Sequence, residues 1–149
     1  MSSSEPARVL VVANRTAATP ALLEAVRARA ASGPASFSLL VPAVAHGVAR
    51  IADPDDADTS EAQAALDLAI PLLEEAAGGP VEGLVGAPDP FLAVQDAVNL
   101  HGYDEIIIST LSPRVSRWLR LDLPRRLTVM GLPVTTVTAK GQVEVVSSG

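Results

Sequence analysis

Along the chain, apolar residues fall into short unbroken runs separated by longer stretches in which they recur every three or four positions. Val9 to Ala13 is a continuous, β-branched run, the pattern of a strand buried on both faces as in a parallel sheet. Thr19-Pro20 then pairs an N-cap residue with proline at the first helical position, where a missing N–H costs nothing. Leu22, Leu23, Val26 and Ala30 give that helix its apolar stripe, and Gly33-Pro34 stops it after about Ser32.

The same alternation repeats. Phe37 to Val41 reads as a second strand, and the stretch from Pro42 to Ser60, with its prolines and its cluster Asp53, Asp55, Asp56 and Asp58, as a long exposed loop. A cap at Thr59 or Ser60 predicts a second helix over 61–77, with Leu66, Ile70 and Leu73 inward and Pro71 as a source of a kink. Val81 to Val85 is a third strand, and Asp89-Pro90 repeats the cap-and-proline start for a helix ending near Leu100, with His101-Gly102 as its terminator. Ile106 to Ser109 forms a fourth strand. A fourth helix is expected between Ser116 and Val129, interrupted by Pro124. Pro133 to Thr138 is the fifth strand, and Val143, Val145 and Val146 can add a short terminal one.

Strands alternating with helices demand right-handed crossovers and helices on both faces, hence an α/β, doubly wound parallel sheet. Residues 7–146 are read as a single domain behind a disordered tail, 1–6. Ligands in such sheets sit beyond the carboxyl ends of the strands where the winding reverses, which selects the segments after the first and fourth strands.

Composition narrows the function. The chain has 149 residues and no cysteine, which removes disulfides and thiolate chemistry and gives no sign of an oxidising compartment; a cytoplasmic protein is expected. The start of the chain is polar and no apolar run approaches membrane-spanning length, so no membrane role is expected. A net charge of -6 argues against nucleic acid as a partner. Yet five of the eleven basic residues, Arg114, Arg117, Arg120, Arg125 and Arg126, share one short segment.

That segment carries the candidate chemistry. Ser109, Thr110, Ser112, Arg114 and Arg117 set hydroxyls and arginines around a helix start, a combination that holds a phosphate or another small anion. The plainer reading is a solvated face whose charges pair with the acidic surface. Asn14, Arg15 and Thr16 end the first strand, where a polar side chain can contact a base or ribose; an ordinary turn needs the same residue types. The aspartate cluster lacks the glycine and glutamate of a calcium loop, His46 and His101 have no third metal ligand nearby, and no G-x-S-x-G elbow is present, so neither a metal site nor a catalytic residue is assigned.

The order of elements resembles the universal stress protein family from about Arg8 to Val137. Gly86-Ala-Pro-Asp-Pro-Phe-Leu-Ala-Val-Gln-Asp-Ala is similar to that family's entry into its third helix. Tyr103-Asp-Glu-Ile-Ile-Ile-Ser-Thr is similar to its fourth strand, and Gly131-Leu-Pro-Val-Thr-Thr-Val to its closing strand. The resemblance implies an adenine nucleotide alpha hydrolase-like fold with five parallel strands in the order 3-2-1-4-5. It also implies a homodimer paired through the edge strand Pro133 to Thr138 and a non-enzymatic stress-response or regulatory role.

ATP-binding members of the family carry three glycines after the fourth strand, and here the corresponding positions hold Ser109, Ser112 and Asp122, the last followed by Leu123. Asn14 stands where those members have an adenine-contacting aspartate. Side chains in place of glycines crowd or repel a triphosphate, so no cofactor is assigned and standard ATP binding is not expected. Two other functions stay open: a nucleotide-dependent phosphatase or pyrophosphatase of the related adenine-nucleotide fold, and a purely structural module that binds a partner.

Overall fold

The computed structural model describes residues 6–13, 19–43, 59–110, 117–120, 122–138 and 143–146. All of the strands among them belong to one sheet. In chain order the elements are β1 (Ala7–Val12), α1 (Pro20–Ser32), β2 (Ala35–Pro42), α2 (Ser60–Ala77), β3 (Val81–Gly86), α3 (Pro90–His101) and β4 (Glu105–Thr110). Then come α4 (Arg117–Arg120), α5 (Leu123–Leu127), a 3-10 turn at Thr128–Met130, β5 (Val134–Thr138) and β6 (Val143–Val146).

The sheet runs β3-β2-β1-β4-β5-β6. Its first five strands are parallel in the expected order; β6 is antiparallel to β5, with Val134 opposite Val146 and Val137 opposite Val143. This corrects one expectation. The strand from Pro133 to Thr138 is not an edge, because the chain returns and pairs β5's outer backbone with its own β6.

Side-chain alternation along the strands divides the interior into two layers. Val9, Val11, Phe37, Leu39 and Val41 meet Leu22 and Val26 of α1 and Leu66, Ala69 and Leu73 of α2. On the other face Leu10, Val12, Leu40, Ile106 and Ile108 meet Ala93, Val94 and Ala97 of α3 and Leu123 and Leu127 of α5. Trp118 is half-buried against this second layer.

Both cap-and-proline starts form. Thr19 accepts from the Leu22 N–H at 3.4 Å, and one Asp89 carboxylate oxygen accepts from Phe91 and Leu92 at 2.9 and 3.4 Å. Thr59 occupies the cap of α2 without a side-chain bond. In α2 the buried stripe is Ala62, Leu66, Ala69, Leu73 and Ala76, with Ile70 only half-buried, and Pro71 sits on its exposed side. Arg29 of α1 grips Glu105 at the start of β4 with two bonds of 2.9 Å, a fork that raises the Arg29 pKa through the hydrogen bonds it donates and fastens helix to sheet.

The expected fourth helix is two short helices. Proline inside a helix loses a hydrogen bond and clashes with the carbonyl four residues earlier. The chain therefore breaks before Pro124, at Asp122, and restarts so that proline lies in the first turn of α5.

Candidate functional site

β1 and β4 are neighbours, with Val12 opposite Ile108, and the chain winds to β2 and β3 on one side of this pair and to β5 on the other. The carboxyl ends of β1 and β4 therefore lie side by side at the reversal of winding, which is where a sheet of this kind leaves a crevice. Ser109 and Thr110 stand there at the end of β4, 1% and 3% exposed respectively, beside buried Ala13. Arg117 opens α4 on the segment that follows. Asn14, Arg15, Thr16, Ser112 and Arg114 lie outside the described residues, as do the aspartate cluster and His46.

Two of the five clustered arginines have contacts of a structural kind. Arg125 lies 3.6 Å from the Asp122 carboxylate, an exposed pair, and the Arg126 guanidinium sits 4.9 Å from the Phe91 ring, tying α5 to α3. His101 closes α3 and meets Tyr103 edge-on at 6.3 Å. No group of three metal-ligating side chains occurs among the described residues, and no helix among them is long and apolar enough to cross a membrane.

Asp122 is the feature that sequence reasoning only half located. Among the described residues it is the one non-glycine with positive φ, at φ 59 and ψ 36. L-residues avoid this left-handed region because Cβ crowds the backbone, and glycine occupies it freely. The position that the resemblance assigns to a glycine thus keeps a glycine's backbone shape while carrying a carboxylate. The signal available in the sequence is Pro124, which disfavours an unbroken helix, although α2 carries Pro71 without breaking.

A solved structure described as "Crystal structure of universal stress protein in complex with cAMP" matches this chain with a TM-score of 0.58, covering 91% of this chain and 99% of that one at 17% identity. The fold is that of a universal stress protein. No family model matches the sequence, and no curated protein matches it either. Within the universal stress fold, β6 lies beyond the five-stranded parallel arrangement that the sequence predicted.

A depression of about 430 Å³ opens at the other end of the sheet, lined by residues that include Arg8, Ser36, Ser38, Glu82 and Tyr103. It lies at the opposite end of the sheet from Ser109 and Thr110 and is not legible in the sequence.

Proposed function

We propose that this is a non-enzymatic, cytoplasmic regulatory protein of the universal stress type. It acts as a homodimer, and its crevice at the ends of β1 and β4 takes a small phosphate-bearing ligand but not ATP in the standard manner. The observation that carries this reading is Asp122: a left-handed backbone position bearing a negative charge on the segment after β4. A triphosphate lying against that segment meets a carboxylate where bare main chain is needed. Ser109 and Thr110 end β4 at this place, and the sequence on either side carries Ser112, Arg114 and Arg117 together with Asn14, Arg15 and Thr16, residue types that bind phosphate, base and ribose. That set suits a ligand with one phosphate. The neighbouring fold whose description names cAMP supports the choice of a mononucleotide.

Isothermal titration with ATP, AMP and cAMP tests the proposal. Heat is expected from a mononucleotide and none from ATP at micromolar concentration, with Asp122→Gly improving ATP binding. Micromolar ATP binding by the unaltered chain overturns the first part; silence from AMP and cAMP overturns the second.

A further inference from the structure

The depression at the amino-terminal end of the sheet is built by register. Arg8 on β1 lies opposite Ser36 on β2, and Ser38 lies opposite Glu82 on β3. Strand alternation puts these four on the face that carries Leu10, Leu40 and Leu84, so a row of polar residues continues the apolar layer under α3 down to the rim of the sheet. Tyr103, in the connection between α3 and β4, closes one side with its ring 5.4 Å from the Arg8 guanidinium. The backbone there is fixed by a reciprocal pair of bonds: Asp104 N–H donates to the Arg8 carbonyl at 2.7 Å, and Arg8 N–H to the Asp104 carboxylate at 2.8 Å.

Three features mark this as a place made for a ligand. Ser38 is only 6% exposed, yet it lines the depression. The Tyr103 hydroxyl, on a residue 7% exposed, is buried with no partner. A buried hydroxyl ordinarily finds a partner, because leaving one unmet costs free energy. Third, the site holds opposite charges that do not reach each other. Arg8 and Glu82 are two strands apart laterally and two residues apart along the strands, roughly 12 Å between Cα atoms from standard strand spacing. Among the described residues no salt bridge joins them.

We propose that this depression binds a small zwitterion of free amino acid type, its carboxylate on the Arg8 guanidinium, its ammonium on the Glu82 carboxylate, and its middle over the Ser36 and Ser38 hydroxyls. The volume suits a ligand of that size. A simple anion is disfavoured by Glu82 and a simple cation by Arg8, so the charge pattern selects a molecule bearing both. The site stands at the opposite end of the sheet from Ser109 and Thr110, so this reading and the proposed function fail or succeed separately.

The chain has one tyrosine, so 3-fluorotyrosine labelling places a single fluorine signal at Tyr103. Titrating glycine, L-alanine and L-glutamine at millimolar concentration is expected to move that signal in a saturable way, with acetate and methylammonium as controls that do not. Both Arg8→Gln and Glu82→Gln should weaken the response about tenfold, the loss of one charge-assisted contact, while Ser38→Val should weaken it by filling the floor. Arg8 and Glu82 are exposed, so those variants keep the fold, which an amide correlation spectrum verifies. No saturable shift with any of the three amino acids overturns the proposal. An equal shift with acetate alone also overturns it, in favour of a plain anion site.

Discussion

Asp122 holds a conformation that costs an ordinary L-residue about 1–2 kcal/mol, and its exposed pairing with Arg125 returns little of that. Glycine removes the steric cost but adds chain entropy to the unfolded state, worth about 0.5–1 kcal/mol. The steric term is the larger. Asp122→Gly should therefore raise stability by about 0.5 kcal/mol while Asp122→Ala lowers it, and urea denaturation of the two variants decides; equal effects would show that the backbone is not held left-handed. Gly86 presents the opposite situation. A Cβ there would stand 2.6 Å from the Ala93 Cβ and 2.9 Å from Leu40 Cδ1, contacts too close for real atoms, and alanine's Cβ is fixed to its helix and cannot swing aside. Gly86→Val should cost about 1–3 kcal/mol by forcing α3 off β3. Gly33→Ala, with nothing within 4 Å and an extended backbone, is the control expected to stay near neutral in the same thermal melts.

Elements were legible in proportion to how local their causes are. Two helix starts could be placed to the residue because cap and proline act within one turn, and both are found where Thr19-Pro20 and Asp89-Pro90 put them. The strands Val9 to Ala13 and Ile106 to Ser109 were readable because unbroken apolar runs of that length have few other uses. The interruption at Pro124 is legible but its division into two helices is not, since the break depends on Asp122 taking a left-handed turn, a tertiary outcome. The row Arg8, Ser36, Ser38 and Glu82 could not be read at all. Its members are scattered over three strands and meet only through sheet register, which periodicity along one strand does not reveal. Of the crevice residues, the structure places Ser109 and Thr110 where the sequence put them, at the end of β4, while Arg125 and Arg126 of the basic cluster turn to Asp122 and Phe91.

At the scale of the molecule, one sheet presents two unlike ends. The carboxyl ends of β1 and β4 follow from winding order, which any chain with this topology shares. The amino ends owe their polarity to particular residues of this chain. The two lateral margins differ as well: one is formed by β3, packed beside α2 and α3, and the other by β6, with Val145 exposed. A second chain could pair with β5 directly only by displacing the four residues of the chain's own β6.

The returning strand β6 works as a self-supplied cover. A strand left uncovered presents a ladder of free N–H and C=O groups that invites pairing with whatever extended chain comes near. A protein clipped just before Val143 would expose β5 in that way, its valine and threonine side chains being well suited to a strand partner. Light scattering during size-exclusion chromatography should then record a clipped form that associates indiscriminately into large, polydisperse species, whereas the intact chain elutes as one discrete species. A clipped form that stayed as discrete as the intact one would mean that β6 shields nothing.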